Sequence, residues 1–521
     1  MTSTPAPNAG PRGTGPDPAA PVAAADSPAP AGSSAPADAS APAAPTTFVR
    51  RSIWALDTTA PFTAVTAAYA RAVEIMQQRG DDDPTGWIYQ AAMHGTYAAA
   101  GSRDWNQCQH ASWFFLPWHR MYVYFFERIV RAAVLATGGP RDWALPYWDY
   151  SVGGEHAAIP LAFRTPTRPD GTPNPLFTDQ RADHVNDGAR LPVRQTSAAK
   201  ANTFTTFAGL PQACFGGGPA GPAQFSILPG QLEIQPHNAV HNLLGGGAGW
   251  MGDPKHAAQD PVFWIHHANI DRLWGHWVAL AGGRANPTDR AWRQARFTFY
   301  DHDGAAVVMA ADDVADAATQ LGYRYDDTPS PADAVLRRRF AAAATPVPPP
   351  PGPPRLLAAS ATGATLGPGR TTLSVLVGPA AGSRIAELAD DPTHPGRVLL
   401  TVDDIVAERS PGLVFEVHLN LPDDADPATE DSFLVGQLTF FGTTMTDAGN
   451  EPRGAGTGMS HSYDITGLVA HLRALRRWDP ARLTVTFVPV GLEPPPGTPG
   501  SAHTQTPAAN PSIGRVSIRT A

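Results

Sequence analysis

Two clusters of histidine set among aromatic residues and prolines constrain this chain more than any other feature. The first is His94, His110 and His119; the second is His237 and His241, followed by the adjacent pair His266-His267. His237 and His241 are four residues apart, so on a helix they stack on one face and can share a metal ion. His110 and His119, nine residues apart, fall on opposite sides of one continuous helix. Pro117 lets a helix begin just before His119, with His110 approaching from a preceding loop. A third helix opened by Asp260-Pro261 puts Phe263 and His267 on one face. A lone buried histidine in an aromatic core usually packs rather than binds. That reading suffices for His156, His184, His256, His276, His302, His394, His418, His461, His471 and His503. It fails for two triads that each recur beside a helix start. Six imidazoles with no carboxylate or thiolate at ligand spacing suit copper better than calcium, magnesium or structural zinc.

The rest of the chain divides around these clusters. Twelve of the 13 tryptophans lie between Trp54 and Trp292, which marks 47–340 as the well-packed, metal-binding domain. Helical periodicity runs through Phe62–Gln78, Trp118–Leu135, Pro236–Leu244 and Pro261–Leu280, separated by Pro-, Gly- and Asn-rich stretches, notably 151–235. Residues 1–46 are dominated by alanine and proline and are expected to form a disordered tail. The Arg50-Arg51 pair reads as ordinary domain-edge charge. Residues 341–370, with four consecutive prolines at 348–351, read as an extended linker. From 371 to 521 the period drops to two, with strands expected at Thr372–Val377, Val398–Val402, Leu413–Asn420, Phe433–Phe441, Leu483–Val490 and Ile513–Ile518. One helix near Ile465–Leu475 interrupts them. The expected fold class is multidomain α + β: a mainly helical bundle followed by an all-β, sandwich-like C-terminal domain.

Composition excludes several functions. A net charge of −9 argues against nucleic acid or an anionic membrane as the main partner. Two cysteines, Cys108 and Cys214, are too few for a disulfide scaffold or a thiolate zinc cluster. No uncharged apolar run reaches the roughly 18 residues needed to span a bilayer. With no secretory signal visible, the expected location is cytoplasmic.

Phe-Phe-Leu-Pro-Trp-His-Arg at 114–120 and Asp-Pro-Val-Phe-Trp-Ile-His-His-Ala-Asn-Ile-Asp-Arg-Leu-Trp at 260–274 are distinctive. They resemble the two copper-binding regions of the tyrosinase, catechol oxidase and mollusc haemocyanin family, and the likeness runs from about Val49 to Trp277. Leu145-Pro146-Tyr147-Trp148-Asp149, Met251-Gly252-Asp253 and the ending at 511–518 resemble the plant polyphenol oxidase branch. The resemblance implies a binuclear copper centre, with His94, His110 and His119 holding one ion and His237, His241 and His267 the other, and O2 as co-substrate. Of the adjacent pair, the family pattern makes His267 the ligand. His266 then becomes a pocket residue, together with Phe263.

The same resemblance suggests roles for four more residues. Cys108, two residues before His110, has the spacing of the Cys–His thioether of fungal members, whereas the plant cysteine position is Ala98 here. A free buried thiol is the alternative. Glu233 and Asn238 stand where tyrosinases are proposed to hold a water that accepts the phenol proton. Glu233 can also simply support a helix N-terminus. Asn242, beside His241, occupies a variable position at the site mouth, and its neutral amide leaves tyrosine, tyramine, simple phenols and ortho-aminophenols open as substrates.

The activity implied is oxidation of a small phenol to an ortho-quinone by O2, covering monophenol hydroxylation and o-diphenol oxidation. One alternative is a catechol or o-aminophenol oxidase without hydroxylase activity. Another is a haemocyanin-like oxygen carrier, against which the lack of internal repeats argues. The β-rich domain resembles the plant cap and is expected to dock over the entrance through the Gly442–Ser460 loop, keeping the enzyme latent. A copper-delivery protein is a possible partner, and the oligomeric state is left open.

Overall fold

The computed structural model describes residues 47–56, 60–209, 214–280, 282–326, 354–391, 396–443, 458–502 and 505–520, all within one compact unit, Thr47–Ala521. The tail 1–46, the proline run 348–351 and most of the 442–460 loop lie outside the described residues.

Helix α1 (Ala64–Gln77) starts at a capping box in which Thr63 and Thr66 each accept from the other's backbone N–H. It packs on the central helix α3 (Phe115–Ala136), after the short α2 (Trp87–His94). Pro117 sits in the first turn of α3, where its missing N–H leaves no hydrogen bond unmade. Farther along come α4 (Ala239–Gly245) and α5 (Val262–Ala279), the latter packed on α3. Asp260 accepts from the Val262 N–H at 3.0 Å and pairs with buried Arg181 at 2.7 Å, so the acid that opens α5 is fully compensated.

A buried charge cluster ties α3 to α5. Strand β1 (Phe48–Arg50) ends on it, β2 (Arg296–Tyr300) and β3 (Ala306–Ala310) form a hairpin, and β4 (Tyr323–Tyr325) pairs in parallel with β1. Here the expectation of domain-edge charge is corrected for one of two arginines. Arg51 is exposed, but Arg50 is fully buried, 2.5 Å from Glu127 of α3 and 3.0 Å from Asp271 of α5. Arg120 pairs with the same Asp271, to which Tyr323 and Tyr325 donate their hydroxyls at 2.6 and 2.5 Å. Nothing local marks Arg50 for burial, because its partners arrive only with the fold.

The C-terminal part comprises β5 (Arg355–Ser360), β6 (Ala364–Thr365), β7 (Thr371–Leu376), β8 (Val398–Ile405), β9 (Val414–Leu419), β10 (Leu434–Leu438), β11 (Met459–Asp464), β12 (Leu483–Val490), β13 (Ser512–Ile513) and β14 (Arg515–Thr520). Eight of them make one antiparallel sheet in the order β10-β9-β12-β7-β5-β14-β8-β11. The sheet rolls until its edges meet, since Tyr463 of β11 donates its hydroxyl to the Gln437 carbonyl of β10 at 2.8 Å. The sandwich-like core is thus enclosed by a single sheet. Two helices, α6 (Pro379–Asp390) and the foreseen α7 (Thr466–Ala474), pack against each other beside it. Residues 355–370, expected in the linker, instead supply β5 and β6. β5 finds partners in both β14 and β7, which a local reading cannot see.

Strand β9 is buried on both faces and joins the two halves. Phe415, Val417 and Leu419 enter the core of the sheet. Val414, Glu416 and His418 point the other way, as strand alternation requires. On that side Gln195 of the helical part donates to Glu416 at 2.5 Å and Arg194 pairs with it at 3.2 Å.

Candidate metal centre

Four elements and one loop deliver the six histidines. His94 ends α2, His119 lies in the second turn of α3, and His267 lies on α5. His110 sits in a loop zipped to residues 224–226, its N–H donating to the Gln224 carbonyl and its carbonyl accepting from Ser226. The backbone kinks at Gln235 (φ −146°, ψ 115°), and Pro236 opens the helical run through His237 that continues into α4 with His241. All six rings are buried.

The rings converge as two facing triads. Centroids of His94, His110 and His119 are 5.1 to 5.6 Å apart, and those of His237, His241 and His267 are 4.5 to 5.6 Å apart. His119 and His267 stack across the gap at 4.6 Å. His266 joins the second group, with nitrogens of His237, His241, His266 and His267 all within 4.8 Å of one another. Its Nδ1 lies 3.2 Å from the Tyr150 hydroxyl and its Nε2 is buried without a partner. Geometry alone therefore does not choose between His266 and His267; the expected stack of Phe263 on His267 is a tilted contact, centroids 4.1 Å and planes 33° apart.

Hydrogen bonds fix which nitrogen points inward. Nδ1 of His94 lies 2.9 Å from the Pro254 carbonyl, that of His119 2.8 Å from Phe115, and that of His241 2.8 Å from Met251. Nδ1 of His237 is 2.9 Å from the Asn238 side-chain oxygen. Nε2 of His94, His119 and His237 is left buried with no protein partner. An imidazole held at one nitrogen and free at the other is the arrangement of a metal ligand. Burial pushes all six rings well below the ordinary histidine range, His94 to about 4 and His241 to about 3, so they offer neutral lone pairs at pH 7. Convergent, neutral, unpartnered nitrogens fit a pair of copper ions.

The other sequence-predicted residues also gather here, with partners of their own. Glu233 accepts from the Ala111 N–H at 2.7 Å through Oε1, while its Oε2 is buried and unpartnered. Burial pushes its carboxyl up to about 8. Asn238 orients His237 and donates to the Thr439 hydroxyl at 3.4 Å. Cys108 is buried within 4.8 Å of His94 and His110 nitrogens and accepts from the Gln224 amide at 3.4 Å, whereas Ala98 is exposed. Asn242 accepts from the Phe440 N–H at 3.0 Å and donates to the Ser410 hydroxyl at 3.3 Å, both from the β-rich part.

Phe441 is a residue at the site that sequence reasoning missed. Its ring stacks on His241 at 4.1 Å and meets His237 and His110 edge-on at 5.6 and 5.7 Å. It lies at the end of an expected strand and just before the loop expected to cover the site, but no periodicity singles it out. Gly442 follows at φ +79°, and a Cβ there would come within 2.6 Å of the Phe225 ring.

Comparison with known proteins agrees with this geometry. Residues 84–209 and 164–280 match the common central domain of tyrosinase, and 286–337 match the polyphenol oxidase middle domain. Tyrosinase HcTyr1 from Hahella sp. (strain CCB-MM4) is 34% identical over 451 residues, covering 81% of this chain and 92% of that one. The chain belongs to the tyrosinase and polyphenol oxidase family. As a family member it is an oxidoreductase acting on phenols, with a binuclear copper centre formed by its histidine clusters. The latent form of a chloroplastic polyphenol oxidase from Prunus armeniaca is 31% identical over 299 residues, 51% of this chain and 47% of that one. Latent apple tyrosinase shares the fold, with a TM-score of 0.59 over 92% of this chain and 98% of that one at 21% identity. Residues 353–520 match a domain of unknown function. Among the described residues no helix is long and apolar enough to cross a membrane.

Proposed function

We propose that this tyrosinase-family enzyme oxidises both monophenols and o-diphenols to ortho-quinones, and that its C-terminal part, from about residue 354, keeps the copper-binding part latent. His94, His110 and His119 would hold one copper, and His237, His241 and His267 the other. The bound copper pair supplies the redox chemistry with O2, which takes two electrons and two protons from each o-diphenol. The observation that carries the latency reading is Phe441 stacked on His241, in the space a phenol ring would need.

The protein's own part is to bind, orient and move a proton. Asn238 orients His237 through its side-chain oxygen. Once its carboxyl, raised by burial to about 8, is ionised, the unpartnered Oε2 of Glu233 is a buried acceptor for a phenol proton, which supports monophenol hydroxylation over diphenol oxidation alone. The neutral amide of Asn242 neither repels nor attracts a substrate carboxylate, which fits a small, uncharged phenol.

Oxygen uptake by the copper-loaded chain carrying Phe441→Ala, with a monophenol and its matching o-diphenol, tests this reading. Uptake with both supports it. Uptake with the diphenol alone reduces the enzyme to a catechol or aminophenol oxidase, and no uptake despite two bound coppers points to an oxygen carrier.

A further inference from the structure

The ring of His110 is held differently from four of the other five ligand rings. His94, His119, His237 and His241 are each pinned through Nδ1 to an oxygen, but both nitrogens of His110 are buried with no hydrogen-bond partner. A ligand ring without such a bond can turn about its own axis and lose its aim. Something else must fix it.

Phe225 lies face to face with the His110 ring, centroids 4.9 Å apart and planes 12° apart. The other rings around His110 meet it edge-on or tilted: His94 at 81°, Phe441 at 73° and Phe115 at 37°. Phe225 is itself anchored on the segment it serves. The Gln224 carbonyl accepts from His110 N–H at 3.0 Å, Ser226 N–H donates to the His110 carbonyl at 3.0 Å, and Leu228 N–H donates to Ala111 at 2.8 Å. The Gln224 side chain reaches onward to the His94 carbonyl at 3.2 Å, linking two ligand-bearing segments.

We propose that Phe225 is a positioning residue for the first copper, acting through His110 by holding its imidazole in the ligating orientation. The inference rests on the reading that His94, His110 and His119 hold a copper ion. Phe225 has no direct contact with metal in this role; its flat face replaces the hydrogen bond to oxygen that His94, His119, His237 and His241 have.

Copper retention tests it. The Cys108→Ser chain serves as parent, so that no covalent link to His110 can stand in for the stack, and Phe225→Ala, Phe225→Leu and Phe225→Tyr are made in it. Each is loaded with copper, dialysed against a graded chelator series and analysed for metal per chain, with circular dichroism and thermal unfolding as controls. The parent is expected to hold two coppers. The Ala and Leu variants are expected to release one of the two at about 10- to 100-fold lower chelator concentration, the usual effect of losing a ligand's orienting partner. The Tyr variant, which keeps the flat ring, should behave like the parent. Release of both coppers together, or midpoints unchanged in Ala and Leu, would overturn the proposal. A folded parent that binds no copper would instead overturn the copper assignment, and this inference with it.

Discussion

The ring of Phe441 lies 4.1 Å from the imidazole of His241, with the two planes 21° apart. One residue belongs to the segment after an edge strand of the C-terminal sheet, the other to a helix of the copper centre. The stack therefore covers the second histidine triad with a side chain of the β-rich part. An aromatic pair of this kind contributes about 0.5–1.5 kcal/mol beyond its buried area. Phe441→Ala should raise kcat/KM of the intact, copper-loaded chain for a phenol by roughly tenfold, with copper content unchanged. Equal rates for the two chains, followed by oxygen uptake, would show that the ring is not the obstacle.

Glu233 predicts a split between two substrates. A monophenol must lose its proton before hydroxylation, whereas a diphenol reacts by electron and proton loss alone. Glu233→Gln keeps an oxygen for the Ala111 N–H but removes the basic carboxylate. Monophenol turnover should fall by about 10²-fold or more, with diphenol turnover largely kept. Parallel loss of both, measured on one preparation, would assign Glu233 a purely structural part.

Asp271 should make the fold acid-labile. Burial alone pushes its carboxyl up, but Arg120 and Arg50, with the hydroxyls of Tyr323 and Tyr325, outweigh burial and hold it below its ordinary value. A carboxyl lowered in the folded state stabilises the protein above its unfolded value of about 4, and that contribution is lost as pH falls through the lower folded value. Asp271→Asn leaves buried Arg120 without a carboxylate and Arg50 with Glu127 alone, and should cost about 3–5 kcal/mol at neutral pH. Thermal unfolding against pH should show a shallower acid branch in the variant than in the parent.

Cys108 offers a covalent test. If its sulfur bonds to a ring carbon of His110, the S–H and C–H hydrogens leave with two electrons, which O2 accepts. The copper-loaded, aerated chain would then be lighter by two hydrogen masses, and Cys108 would resist alkylation after unfolding. Cys214 would alkylate normally. An unchanged mass with both cysteines alkylated would assign Cys108 as a buried thiol.

Much of this was legible in the chain because metal ligands sit at helical spacing beside strong helix starts. His237 and His241 four apart, Pro117 before His119 and Asp260-Pro261 before His267 are local signals, each within or just ahead of the helix it announces. Helix α2, which carries His94, was not expected: it is eight residues long and buried on nearly every side, so it has no apolar stripe to read. Strand β11 has the sequence Met-Ser-His-Ser-Tyr-Asp and looks polar, yet it is held by β8. Arg50, Phe225 and Phe441 depend wholly on partners far away in sequence. Their roles are set by contacts, and single-chain periodicity carries no record of contacts.

Asn242 stands beside His241, fully buried, and both ends of its amide are already bound to Phe440 and Ser410. On the proposed reading, one side chain therefore serves both the substrate pocket and the grip of the cap. On that reading, a lineage that changed this position to favour another phenol would also change how readily its enzyme opens, so taste and restraint would evolve together unless a second change elsewhere uncoupled them.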